Sequence, residues 1–183
     1  MPLVLESAGP EANKMVIDNH GRAHVLSVSE TEDFHINKDN GKVWAIPFEG
    51  LNPAGANDYV VYIKNTGDKD LDLTHIYCTA DTAASQVEIH KVSGTAAGGS
   101  DITPVAENLG SAQVPSATIQ SGTDITGLTN DGVLHFMQCV TVNKEEEWSP
   151  MANIIIPKGF AIAILVETAT ANITGTVVLL EAE

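Results

Sequence analysis

Apolar residues along this chain either alternate with polar ones or gather in short runs, and neither pattern holds a helical period for long. Ile154–Ile156, Phe160–Thr168 and Ile173–Glu181 are filled with β-branched and apolar residues and separated by turn residues. They predict three strands. Pro157-Lys158-Gly159 fits a type I turn between the first two, with Pro supplying its fixed φ and Gly at the fourth position. Thr170-Ala171-Asn172 closes the second link. Upstream, Val43–Phe48, Tyr59–Asn65, Gln86–Val92 and Leu134–Val142 read as further strands. Pro47 puts the first of these at an edge or marks its end. Thr66–Asp70 turns the Tyr59 strand back. On the returning strand Leu71, Leu73, His75 and Tyr77 share one face, while Asp70, Asp72, Thr74, Ile76 and Cys78 share the other.

The first residues, with Pro2, Gly9 and Pro10, are polar and small as far as about Lys14 and read as an extended arm. Lys14–Asp18 and Ala23–Val28 flank an Asn19-His20-Gly21-Arg22 turn signal, so a hairpin, or a strand pair added to a neighbour's sheet, is expected there. Ser29 and Glu32 have capping-box spacing, and a short helix or turn through Phe34–Asn37 is expected before Asn40-Gly41. Between Ser93 and Asp131 glycine, alanine, serine and threonine take over, and 7 of the 15 glycines fall in Gly94–Gly132. A loop this long is functional or contains short strands; Pro104–Leu109 and Ser116–Ile119 are the candidates. With about seven to nine strands, the expected fold is all-β, an antiparallel jelly-roll-like β-sandwich with an extended N-terminal arm. The expected division is residues 1–50 for the arm and a strand segment, and 51–183 for the sandwich body with a Gly-rich insertion at 93–132.

Composition narrows the function. Twenty-four acidic residues against 9 basic ones give a net charge of −15. The single arginine is Arg22, and no Lys or Arg lies between Lys91 and Lys144. Nucleic-acid binding needs lysines and arginines to neutralise phosphates, so no nucleic-acid partner is expected, and no docking on an anionic membrane. No apolar run reaches the length of a membrane-spanning helix, and the first residues lack the basic start of a signal peptide. Cys78 and Cys139 lie in strand-like runs without metal or redox spacing, and are expected to be buried free thiols.

Neither a nucleophile elbow nor a nucleotide-binding loop is present, so no enzyme and no cofactor is expected. Asp68, Asp70 and Asp72 begin like a calcium loop, but Leu73 and Thr79 stand where an EF-hand needs Gly and Glu, so a solvated turn is expected and no metal. The six histidines are scattered; those at 75, 90 and 135 fall in strands and read as structural. Trp44 and Trp148 are candidate sugar-stacking platforms, with core or interface packing as the competing role.

Two stretches carry a resemblance. One is Met15–Val25 followed by Ser27–Glu32. The other is Tyr59–Leu71, which includes Lys64-Asn65-Thr66-Gly67-Asp68-Lys69-Asp70-Leu71. Together with Ile156-Pro157-Lys158-Gly159, they resemble virion structural proteins of tailed bacteriophages. The resemblance implies a jelly-roll body and a capsid decoration (cement) protein or head fibre. It implies a place on the outer capsid surface of the virion, with the major capsid protein as partner and a homotrimer as assembly. On this reading Met15, Val16, Ile17, Arg22 and Val25 belong to the attachment segment. The competing expectation is a carbohydrate-binding or host-receptor adhesin module contacting glycan through Trp44 or Trp148. A tail or baseplate position is a variant of the structural reading.

Overall fold

The computed structural model describes residues 35–183 other than 140, 150–152 and 182–183, and before them the strands Leu3–Leu5, Lys14–Ile17 and Ala23–Leu26. Two compact units divide the chain, Met1–Phe34 and His35–Glu183.

In the first unit β1 (Leu3–Leu5), β2 (Lys14–Ile17) and β3 (Ala23–Leu26) form an antiparallel sheet in the order β1-β2-β3. Met15 pairs with Val25 across β2 and β3, which is the expected hairpin. Leu5 pairs with Met15 on the other side of β2. Part of the stretch read as a bare arm is thus a strand. The Ser29–Glu32 capping box lies outside the described residues. The second unit opens with a π-helical turn, Ile36–Asn40, which ends at Gly41.

Twelve strands follow among the described residues: β4 (Val43–Leu51), β5 (Asp58–Asn65), β6 (Leu71–Ala80), β7 (Ser85–Ala97), β8 (Ser100–Asp101), β9 (Val105–Ala106), β10 (Ala117–Ser121), β11 (Thr126–Cys139), β12 (Glu145–Trp148), β13 (Ile154–Ile156), β14 (Ala161–Val166) and β15 (Ile173–Glu181). They make two antiparallel sheets, β11-β7-β14-β5-β10-β8 and β12-β6-β15-β4-β9. β13 also pairs with β6, against Leu71–Leu73, while β12 pairs against Ile76–Thr79. β12 and β13 thus act as one interrupted edge strand. Counted so, the cores of the two sheets are β11-β7-β14-β5 and β12/β13-β6-β15-β4, with β4, β5, β6 and β7 alternating between sheets. This is the strand order of a jelly roll.

The body begins at His35, ahead of the boundary expected at residue 50. The physical reason is β4, which lies inside its sheet between β15 and β9, with Trp44, Ile46 and Phe48 buried. The Gly-rich middle is built into the same edge of the sandwich: β8 and β10 continue one sheet beyond β5, and β9 continues the other beyond β4. Ile119 on β10 joins the main core, and Ile125 is buried in a second cluster outside the first sheet.

The main core lies between the sheets and draws on Ile63, Leu71, Leu73, Ile76, Ile164, Ile173, Val177 and Leu179. Each large aliphatic side chain buried there contributes about 1.5–3 kcal/mol. All six residues of β14 are buried, because Ile162, Ile164 and Val166 face this core while Ala161 and Ala163 face the outer cluster. A strand covered on both faces reads as a continuous apolar run, as this one does. On β6 the expected faces hold only for the first turn of the pattern. Val178 and Leu179 pair with His75 and Leu73, leaving Thr74 as an extra, bulged residue. The bulge reverses the alternation, so Leu71, Leu73, Ile76, Cys78 and Ala80 are buried, while Tyr77 stacks with His75 on the other side.

The turn after β13 also differs in phase from the expectation. The Phe160 N–H donates to the Pro157 carbonyl at 3.0 Å, which places Gly159, with φ 82°, at the third position of the turn. That is the position where a type II turn requires glycine.

Gly175 in the interior strand β15 marks the tightest approach between neighbours. A Cβ there would lie 2.2 Å from the Tyr77 carbonyl oxygen and 2.7 Å from Phe48 Cζ. Gly175→Ala is therefore expected to lower the unfolding free energy in urea by about 2–3 kcal/mol. Gly110→Ala, at an exposed turn with only ordinary contacts, is expected to change it by less than about 0.5 kcal/mol. Equal midpoints for the two variants would contradict the packing described for β15.

Candidate functional site

Polar chemistry concentrates on the outer face of the sheet containing β5, β7 and β14. Period-two alternation on β7 puts Gln86, Glu88, His90 and Val92 on that face. On β5, Val61 pairs with Ile164 and Tyr59 with Leu165, so Val60 is an extra residue. Val60 and Val61 both enter the main core, and Tyr59 and Tyr62 consequently share the outer face. The same bulge logic operates on β11: Asn130 pairs with Val92 and Gly132 with Lys91, leaving Asp131 between them without a pairing partner.

A hydrogen-bonded chain crosses this face. The Tyr59 hydroxyl lies 2.9 Å from His90 Nδ1, and His90 Nε2 lies 2.5 Å from Glu88 Oε2. The Tyr59 and His90 rings meet edge to face at 5.5 Å. Gln86 Nε2 donates to Glu88 Oε1 at 2.6 Å and to Glu167 Oε1 at 3.0 Å, and Gln138 donates to Gln86. Nε2 donates to the carboxylate, and Nδ1 meets the tyrosine hydroxyl, which can act as donor or acceptor. His90 is buried with both nitrogens engaged, so it offers no free nitrogen to a metal or a substrate. Its hydrogen bond holds the Glu88 carboxyl below the usual glutamate range, helped by the Gln86 amide and opposed by burial. Burial pushes the Tyr59 phenol upward, with the charges of Glu88 and Asp131 adding to it. The chain is a buried polar network that fixes three side chains relative to one another.

Beside it, at the end of the strands, is a groove of about 250 Å³. Tyr62 and Lys64 reach it from β5, Lys91 from β7, Asp131 from the β11 bulge, and Phe160 from the turn entering β14. The Lys91 ammonium lies 5.4 Å from the centre of the Phe160 ring, within reach of a cation–π attraction. Lys42, Lys144 and Lys158 each contact a carboxylate, those of Glu181, Glu146 and Asp68. Lys64 and Lys91 hold none within ion-pair reach among the described residues.

The residues singled out in the sequence fall elsewhere. Trp44 and Trp148 are both buried, and neither offers an open ring to a sugar. Trp44 is enclosed beneath the Gly-rich segment, its indole N–H donating to the Gln113 carbonyl at 3.1 Å. Trp148 packs into the main core, with the His135 ring 5.0 Å away. With so few aromatics in the chain, both serve packing. Met15, Val16 and Ile17 lie on β2 and Val25 on β3, while Arg22 lies outside the described residues. Cys78 and Cys139 are free buried thiols, and the neighbouring Cys139 thiol together with burial pushes the Cys78 thiol up. No group of three or more metal-ligating side chains occurs among the described residues. Lys64, Lys91, Asp131 and Phe160 escaped notice because they come from four separate elements. The available signal was Phe160, an aromatic placed at a turn ahead of a strand that needs no aromatic there.

Comparison with family models, with curated proteins and with solved structures finds no match.

The depressed carboxyl of Glu88 sets a pH dependence. A group whose pKa is lower in the folded state stabilises it above the unfolded value of about 4.3, and this stability is lost as pH falls through the folded value. Glu88→Gln is expected to reduce stability at pH 7 by about 1.5–3 kcal/mol, the range for a hydrogen bond to a charged group. It is also expected to flatten the decline of the urea midpoint between about pH 5 and pH 3. The slope that remains includes Asp68, which Lys158 also holds low; being exposed, that part should vanish in high salt. Parallel pH profiles for wild type and Glu88→Gln would contradict the network.

Proposed function

We propose that this chain is a structural protein of a tailed-bacteriophage virion, a capsid decoration protein that binds the outside of the shell and stabilises it. The observation that carries the reading is the division of the chain into a small three-stranded unit and a jelly-roll body with a core of its own. This division suits a protein in which attachment and display belong to different parts. The stretches that resemble virion structural proteins fall in both: Met15–Glu32 in the first unit, and Tyr59–Leu71 across β5, its turn and the start of β6. A net charge of −15 suits a protein that must stay off the packaged genome.

In this reading the first unit contacts the major capsid protein and the body projects as a homotrimer. Self-association would use the outer edge of β11, which has no neighbouring strand among the described residues and exposes Val133, Leu134 and Phe136, the last to 59%. An edge strand with half-exposed apolar residues is a ready template for pairing with another chain.

Deleting residues 1–34 is expected to abolish binding to capsid shells in a sedimentation assay, while the remaining body keeps its β-rich circular dichroism and cooperative unfolding. Full occupancy by the truncated body would overturn the assignment. Light scattering on the intact protein is expected to give three times the chain mass, and Phe136→Glu to reduce it to the mass of one chain. A monomeric wild type would remove the trimer from the reading.

A further inference from the structure

The groove at the end of β5, β7 and β14 belongs to neither attachment nor self-association as described above. Its composition is unusual for this chain. The two lysines that line it hold no carboxylate among the described residues, although the molecule carries 15 excess negative charges. Two ammonium groups against the one carboxylate of Asp131 leave the cleft with a net positive charge, which favours an anionic group there.

Asp131 disfavours the simplest occupant, a bare inorganic anion. It reaches the groove only because the β11 bulge adds a residue with no role in strand pairing. A sulfate would meet its charge and have no hydrogen to give it; a hydrogen phosphate has one to give but brings two negative charges against the carboxylate. A hydroxyl group would donate to it. Phe160 supplies the third feature: it is 50% exposed, with Lys91 set over its ring. An aromatic surface of this kind accepts the C–H face of a sugar ring. The volume of about 250 Å³ lies just below the ~300–1,000 Å³ of sites for drug-sized ligands, which suits a single ring.

From these observations we infer that the groove is a binding site for an acidic saccharide residue, its carboxylate held by Lys64 and Lys91, a hydroxyl by Asp131, and its ring against Phe160. The backbone around the site is closely packed. Gly94 packs so closely on the Gly127 carbonyl that a Cβ would stand 2.4 Å from it, and the type II turn at Gly159 fixes the approach to Phe160. Pre-formed geometry of this kind lowers the cost of ordering on binding. The inference is independent of where on a particle the body is displayed.

The test is a titration of the full-length protein, followed by amide NMR shifts at low salt. The probes are glucuronate, galacturonate and N-acetylneuraminate, with glucose and inorganic phosphate for comparison. At least one acidic sugar is expected to bind saturably in the millimolar range, with shifts centred on Lys64, Lys91 and Phe160. Glucose and phosphate are each expected to bind at least about tenfold more weakly. Lys64→Ala, Lys91→Ala and Asp131→Asn are each expected to weaken the acidic sugar about tenfold, while Lys69→Ala leaves it unchanged. The urea midpoint of each variant shows whether it is folded. Phosphate binding as tightly as the best sugar would overturn the inference. So would unchanged affinity in the folded lysine variants, or saturation by none of the three acidic sugars.

Discussion

One side-chain amide, that of Asn65, closes an end of the sandwich. It is fully buried, at 0% exposure, and both of its Nδ2 hydrogens are used. One goes to the Lys69 carbonyl at 2.7 Å, across the turn between β5 and β6; the other goes to the Ile156 carbonyl at 2.8 Å, at the end of β13. Its Oδ1 accepts from the Gly67 N–H at 2.8 Å. Its backbone carbonyl accepts from Gly159 at 2.8 Å, and its N–H donates to the Phe160 carbonyl at 3.1 Å. Five bonds at one residue thus link a strand of one sheet, the turn into the other sheet, and the turn that returns from it. A buried polar group left unpaired costs about 1–3 kcal/mol, so alternative placements of these turns are penalised. This corner also positions Phe160 and Gly159 at the groove, and it faces the arrival of β10, where Thr66 and Gly67 both donate to the Ser116 carbonyl.

From that corner the remaining architecture follows by packing. β14 sits between β5 and β7 and is covered on both faces, so the outer side of its sheet cannot be wholly polar. The Gly-rich segment supplies the cover through Ile125 and Leu128. Its glycines are spent on close backbone approaches rather than on freedom: Gly94 and Gly127 each bring a strand backbone against the other. Where the cover stops, the groove begins. The Tyr59–His90–Glu88 chain stands next to it and fixes the polar residues that the apolar cover leaves behind.

Strand identity was legible because alternation and turn residues are local signals. Val43–Phe48, Tyr59–Asn65 and Ile173–Glu181 needed nothing beyond them. Even the two candidates inside the Gly-rich stretch correspond to β9 and β10. Strand phase was less legible. A single bulged residue, Thr74, reverses the faces of His75, Ile76, Tyr77 and Cys78, and nothing in the local sequence announces it. The turn at Pro157 was misplaced by one residue, because Pro fits more than one turn position and the hydrogen bonds of Asn65 decide between them. The groove was invisible for a topological reason: β5, β7 and β14 are far apart in sequence and become neighbours only through the jelly-roll crossing. For the tryptophans the sequence leaves sugar stacking and packing both open, and burial of the two side chains shows packing.

The proposed function rests on the division between a small N-terminal unit, proposed to attach, and a body whose fold is closed by its own contacts. Those contacts use the interior of the sandwich, and the groove and the β11 edge are among the surfaces they leave for other molecules. The most direct measurement is an electron cryomicroscopy reconstruction of particles that carry the chain. The expected result is jelly-roll density outside the capsid shell, grouped around three-fold positions, with residues 1–34 making the contact to the shell. Density on the tail, or a shell contact made by the face bearing the groove, would contradict the account.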